Sequence, residues 1–398
     1  MDVFIYTFLL LGSATYMGHL LSRIKMPQII GEILGGILVG PVLLLILSLV
    51  FAKEKPEIIR YFSHEHASLM MQSIIDFSAV FIMLGAGLEI DIRDLLKAGR
   101  ASFLTAVFGV IVPFSLGVYV GQNLLHLSLI GSLYIATSLS ITAVALSVAT
   151  LIQIGKLSTQ VGMTIVGAAV VDDILGIIVL SVLTSLHSGN NVEISSLVFI
   201  FVKAFLFVGL SIWLGPVAGK FIFKKIEHLG LNERLSIILI WVFIFSMLAH
   251  FVKLHLMIGA FLGGLTIREY LRSNEVESIE RWIWGFFAPL FFAWTGFSVT
   301  LSGGSLGMSL IYITSAAFIG KIFGGAIGAF LGGIKLKHSI IVGIGMNGRA
   351  AVELVIANIA LLNGIISREI YSAIVFMAII TAISTPILLK ISSEKLKL

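Results

Sequence analysis

Apolar runs of about 20–28 residues follow one another along the chain, separated by short breaks rich in charge, Gly, Asn or Pro. That length suits helices crossing a hydrocarbon layer about 30 Å thick, whereas barrel strands would show ten-residue alternation. The breaks predict thirteen helical spans, near 3–22, 27–51, 67–90, 101–127, 131–152, 158–186, 195–219, 233–253, 255–270, 281–302, 306–333, 338–363 and 368–391. The ninth is short, and it parts from the eighth at Lys253–His255.

Composition sharpens this picture. Only 12% of the 398 residues are charged and 58% are hydrophobic, against about 25% charged in a soluble domain. The expected fold class is therefore an all-α integral membrane protein, with the lipid bilayer as its first partner. No cysteine is present, which excludes disulfides and thiolate chemistry. The histidines show no HExxH spacing, and His64-Glu65-His66 lies in a predicted loop, so no bound structural metal or other cofactor is expected. The opening Met1-Asp2-Val3 lacks a basic leader, so the first run reads as a retained helix. The loops 52–66 and 271–280 are too short to fold alone, and no soluble domain is expected at either end. Gly35-Gly36 and Gly324-Gly325 lie outside any strand-to-helix context, so they read as packing devices and no nucleotide is expected.

Charge sets the orientation. With the N-terminus outside, eighteen of the 26 lysines and arginines fall on the inner face and five on the outer one. Lys203, Lys321 and Arg349 fall inside spans. This asymmetry predicts an outside N-terminus and a cytoplasmic C-terminus. It also accounts for the net charge of +5 without a nucleic-acid partner.

An internal repeat is visible. Gly31-Glu32-Ile33-Leu34-Gly35-Gly36-Ile37 resembles Gly259-Ala260-Phe261-Leu262-Gly263-Gly264-Leu265, and Ile82–Leu88 more weakly resembles Phe291–Phe297. Spans two to six then pair with spans nine to thirteen. An offset of seven spans, an odd number, gives an inverted-topology repeat, an architecture used by secondary transporters.

Within that register, spans five and twelve are equivalent, and both carry a polar interruption: Thr137-Ser138-Leu139-Ser140-Ile141-Thr142 and Gly343–Arg349. Two crossing discontinuous helices would provide an ion site; the alternative is that hydroxyls bond back to their own helix and merely bend it. Span six carries Asp172 and Asp173 at mid-depth. A carboxylate there costs roughly 2.5–3.5 kcal/mol, so two require a compensating role. Neighbours on a helix point about 100° apart, so one can face a water-filled cavity while the other turns into protein. Lys321, halfway along span eleven, is the natural counter-ion. Asp76 is either a secondary cation ligand or a helix contact, and Arg349–Glu353 (i, i+4) reads as a pair pinning the second broken helix. Glu32 reads as a brace near an interface, Lys203 as a snorkelling side chain, and His19, His250 and His255 as interfacial groups.

These residues resemble the monovalent cation:proton antiporter family 2, the group containing bacterial and archaeal sodium/proton antiporters. The matching pieces are Pro27–Gly36 with Gly40-Pro41, Gly87-Leu88-Glu89, Thr137-Ser138, Val171-Asp172-Asp173, Gly259-Ala260-Phe261 and Lys321. The resemblance implies the sodium/proton antiporter fold, with a core of 101–186 and 306–391 and a scaffold of 1–100 and 195–302 that dimerises. It implies Asp173 as the residue binding the cation or proton and Asp172 as the partner of Lys321, with sodium held at this pair. It also implies Thr137 and Ser138 as the unwound segment beside the site. From the residues themselves, Thr142, Arg349, Glu353, Asp76 and Glu32 stand as secondary candidates. The aspartate pair looks like the electrogenic branch, two protons per sodium, in a prokaryotic cell membrane. Relatives often carry an acid within two residues of the span-twelve arginine; here Ala350 and Ala351 intervene.

The expected activity is exchange of a monovalent cation, sodium first, for protons; a potassium/proton antiporter or a sodium-coupled organic solute symporter are the alternatives. An enzyme is not expected. Intramembrane aspartyl proteases also use two membrane acids, but from separate helices flanking one water.

Overall fold

The computed structural model describes residues 2–23, 26–51, 64–142, 144–187, 194–298, 307–349 and 351–395, and among them every regular element is helical. Helix α1 is Asp2–Arg23, and α2 (Gln28–Ile37) continues through a π-turn at Leu38–Val42 into α3 (Leu43–Phe51). Pro41 sits inside that π-turn, where its missing N–H and ring are accommodated by the wider winding. Next come α4 (His64–Glu89), the short α5 (Ile92–Lys97) and α6 (Gly99–Tyr119). The fifth span is two helices, α7 (Leu129–Ser140) and α8 (Val144–Gln153), followed by α9 (Gln160–His187) and α10 (Ile194–Lys225). Then follow α11 (Leu231–Phe251), α12 (Leu256–Ile267), α13 (Ser273–Trp282) and, after a π-turn at Ile283–Phe287, α14 (Ala288–Phe297). The last are α15 (Met308–Leu331), α16 (Leu336–Gly345), α17 (Ala351–Leu362) and α18 (Arg368–Lys395).

Each of the thirteen predicted spans falls on helix, with local corrections. α10 continues to Lys225, α4 begins at His64 so that His64-Glu65-His66 is helical, and the 271–280 loop is largely α13. The tail of the predicted tenth span, 299–302, lies outside the described residues. At 12 residues, α12 rises about 18 Å and cannot cross the layer alone. Short elements of this kind end inside the membrane, where polar groups must be satisfied by protein or water.

Helix packing falls into two groups. In one, α15 lies along α6, α6 packs on α7 and α9, α15 also meets α16 and α18, and α7 meets α17. In the other, α2 packs on α1 and α14, and α12 packs on α4, α10 and α11. The groups meet more sparsely, through α4 and α2 against α8, α2 against α18, and α9 against α10. Without a hydrophobic force between helices in lipid, tight approach depends on small residues. A Cβ on Gly36 would lie 1.8 Å from the Ala293 carbonyl oxygen, and one on Gly296 2.0 Å from that of Ile33, so α2 and α14 touch backbone to backbone. Gly324 and Gly328 serve α15 in the same way against the Phe108 and Leu104 carbonyls of α6.

Two charges at the ends of helices are buried. Arg234 at the start of α11 and Glu275 at the start of α13 are 1% and 0% exposed and form an ion pair. Arg234 Nη2 donates to Glu275 Oε2 at 3.2 Å and to the Tyr270 carbonyl at 3.1 Å, while Nη1 donates to the Ile226 carbonyl at 3.3 Å. The Arg272 amide donates to Glu275 Oε2 at 2.8 Å, capping α13. One guanidinium thereby satisfies carbonyls left open after α10 and before α13.

Candidate functional site

The chain breaks where the sequence placed polar interruptions, in both the fifth and the twelfth spans. After Ser140 the backbone turns extended at Ile141 (φ −75°, ψ 147°), and helix resumes at Val144. After Gly345 it unwinds through Met346–Arg349, and helix resumes at Ala351. The first break lies three residues beyond Thr137-Ser138, the segment the resemblance implies. Up to that point the hydroxyls bond back into α7, with Thr137 Oγ1 donating to the Leu133 carbonyl at 2.7 Å and Ser140 Oγ to that of Ala136 at 2.6 Å. Thr142 therefore lies in the extended stretch.

The open carbonyls at the end of α7 attract two cations. Arg349 Nη1 donates to the carbonyls of Ser138 and Ile141, both at 3.0 Å. Lys321 Nζ donates to the Ser140 carbonyl and, at 3.0 Å, to Asp172 Oδ1. Both cations are fully buried, at the negative end of a half-helix dipole. Glu353 is fully buried in the first turn of α17, the end that favours an acid. It interacts electrostatically with Arg349 and with Lys321. The guanidinium keeps the electrostatic interaction with Glu353 expected from sequence and also reaches across to the other broken helix. The result is a buried quartet of two acids (Asp172, Glu353) and two bases (Lys321, Arg349), formally neutral.

Asp173 has a different setting. It is half-buried and lines a cavity of about 230 Å³ together with Asp76, Thr142, His255 and Gln72. Gln72 and His255 are exposed and mark its mouth, while the lining Leu146 and Phe292 are buried. At about 30 Å³ per water this volume holds several waters or a partly hydrated cation. Asp76 Oδ1 accepts from Gln72 Nε2 at 3.0 Å, and the buried Thr142 Oγ1 has no hydrogen-bond partner among the described residues. Carboxylates, a hydroxyl and water make a hard-oxygen set suited to an alkali cation held transiently rather than to a permanent transition metal.

The structure thus brings Asp172, Lys321, Arg349 and Glu353 into one cluster with the Ser138 carbonyl, and Asp173, Thr142 and Asp76 onto one cavity. Glu32 stands apart: it is 1% exposed on α2, with Oε1 accepting from Gln28 Nε2 at 2.9 Å. Lys203 lies over the Phe199 ring at 4.1 Å. Two residues were undervalued by sequence. His255 was read as interfacial but stands at the mouth of the cavity. Asn347, in the second break, is fully buried with neither amide atom hydrogen-bonded among the described residues. Its position inside a glycine-flanked interruption was the available signal.

The chain matches the family model for sodium/hydrogen exchanger, transmembrane, over residues 7–393. It is 30% identical to the Na(+)/H(+)-K(+) antiporter GerN of Bacillus cereus, across 98% of this chain and 96% of that protein. It is 28% identical to the high-affinity Na(+)/H(+) antiporter NhaS3 of Synechocystis sp., across 93% of this chain and 85% of that protein. Its fold matches the solved sodium proton antiporter MjNhaP1 of Methanocaldococcus jannaschii at pH 8, with a TM-score of 0.65 and 17% identity over 100% of this chain and 98% of the other. A multi-pass helical protein with paired aspartates on one span and two interrupted helices beside them, this chain belongs to the sodium/hydrogen exchanger family.

Proposed function

We propose that the protein exchanges a monovalent cation, sodium first, for protons across a prokaryotic cell membrane, with Asp173 as the group that holds one or the other. The observation that carries this reading is the split between the two aspartates: Asp172 is tied to Lys321 in a neutral cluster, while Asp173 meets a cavity reached from the surface. A bare carboxylate moving through the membrane costs several kcal/mol, so only the proton- or cation-loaded form crosses, which enforces exchange. When sodium reaches Asp173 it also draws on Asp172, Lys321 gives up its proton, and two protons leave per cation. The helices α6–α9 and α15–α18 form the moving core, α1–α4 and α10–α14 the scaffold and dimer interface, and access alternates between faces. The spacing of the broken helices and the repeated glycine motifs support an inverted repeat, and the lysine and arginine asymmetry supports an outside N-terminus.

A second cation is favoured by one observation, since GerN is named for potassium as well as sodium. Purified protein in liposomes, loaded with a pH-sensitive dye and titrated with each alkali cation at several pH values, separates the two. Sodium-dependent proton movement that responds to membrane potential is expected; no cation-dependent proton movement would refute the proposal, and movement only with an organic solute would point to a symporter.

Lys321→Ala tests the pairing. Asp172 loses its buried partner at a cost of about 1–3 kcal/mol, limited because the carboxyl can take up a proton. The charge moved per cation should fall as well, read from the reversal potential of exchange. Unchanged melting and unchanged charge stoichiometry would remove Lys321 from the mechanism.

A further inference from the structure

A second cavity, of about 450 Å³, opens on the opposite side, the face rich in lysine and arginine. It lies between the α1–α2 turn, the end of α8 and the end of α18, with Gln28, Gln153, Trp284 and Lys390 among its lining groups. On α8 the Asp173 cavity reaches Leu146 and this one begins at Ile152. Six positions separate them, about 9 Å of helix, through the buried Val148, Ala149 and Leu151. The two cavities thus approach one another from opposite faces along a helix at the meeting of the two packing groups.

Glu32 lies one turn along α2 from Gln28. Its Oε1 accepts from Gln28, which lines this cavity, and its Oε2 is buried with no hydrogen-bond partner among the described residues. Among the described residues few charges face it. On α1 it meets Gly18, and the nearby Arg23 and His19 hydrogen-bond to each other on the exposed side. The facing stretch of α14 presents Ala293 and Gly296, α8 contributes Gln153, and α18 contributes Lys390, the one charged group lining the cavity among the described residues. A sodium ion needs several oxygens together, whereas among the described residues the hydrogen bond to the Glu32 carboxyl comes from the Gln28 amide. A carboxyl buried with a single donor is neutralised instead by a proton.

We infer that Glu32 is a proton-binding station on the lysine- and arginine-rich side of the transport route, reached from the second cavity through Gln28. The inference rests on the exchange reading above and adds a site to it. Asp173 exchanges cation for proton, and Glu32 passes protons between that route and the basic face without binding the cation.

The test uses the full-length protein in right-side-out and everted membrane vesicles, with sodium chloride as the driving cation and the pH of each face set separately. Glu32→Gln should shift the half-maximal proton concentration at the basic face by about threefold or more, half a pH unit. The proton dependence at the other face and the half-saturating sodium concentration should stay as in wild type. Infrared difference spectra between acid and alkaline pH should lose one protonated-carboxyl band in Glu32→Gln, and Glu32→Asp should restore both the band and the pH dependence. Glu32→Asp also serves if the glutamine variant does not fold, because its band would appear shifted from that of wild type. Wild-type proton dependence at both faces in Glu32→Gln overturns the inference, as does an equal change at both faces, which would act through Asp173. Absence of any exchange by the wild type would instead count against the parent reading, and the infrared band would still decide whether Glu32 binds a proton.

Discussion

Asp173→Asn should reduce sodium-driven proton release in liposomes to the level of empty vesicles while leaving the melting temperature in detergent unchanged. Asparagine keeps the size and polarity of the side chain but cannot alternate between a negative and a neutral form, and that alternation is what the proposed exchange uses. The fold should tolerate the change because Asp173 faces a cavity, while the neutral quartet behind it remains intact. A variant with wild-type exchange would eliminate Asp173 as the binding group. A variant that fails to fold would show the residue to be structural.

The largest stability effect is expected at the buried pair on the basic face. Arg234→Ala leaves Glu275 charged and enclosed and strips the Ile226 and Tyr270 carbonyls of their donor. Removing one member of a buried pair costs about 3–5 kcal/mol, read as a fall in the thermal midpoint in detergent. Replacing both Arg234 and Glu275 with methionine should cost less than either single change, since no lone charge remains. Burial pushes the Glu275 carboxyl up, but the hydrogen bonds from Arg234 and from the Arg272 amide outweigh it and leave it below its ordinary value. A carboxyl lowered in the folded state adds stability at neutral pH, and that contribution is lost as pH falls through and below the ordinary carboxylate range. Melting of Arg234→Ala indistinguishable from wild type would contradict the assignment.

Much of the architecture was legible because lipid imposes length and composition on every span. The two breaks were legible as polar clusters within the fifth and twelfth predicted spans, and the separate settings of Asp172 and Asp173 as a consequence of the 100° step between helical neighbours. What was not legible depends on partners distant in the chain. Besides its i, i+4 acid, Arg349 bonds to carbonyls 211 and 208 positions away, and no local pattern reveals those. Arg234 stands at the start of the predicted eighth span, and nothing near it in sequence points to its partner Glu275, 41 residues on. His255 sits at a helix junction, where interfacial and cavity-facing positions have the same sequence signature. The exact site of unwinding was misplaced because a hydroxyl can either loosen a helix or bond back into it.

The Lys321–Asp172–Arg349 knot ties together α7, α9, α15 and the α16–α17 connection. A helix sewn to three others through desolvated charge cannot tilt by itself without tearing those bonds open in a medium that offers no replacement. Displacement of the acidic centre relative to its surroundings would therefore carry the whole quadruple assembly as one rigid cargo, and the flexing would fall to the stretches where the polypeptide passes from one group to the other, such as the short α5 segment.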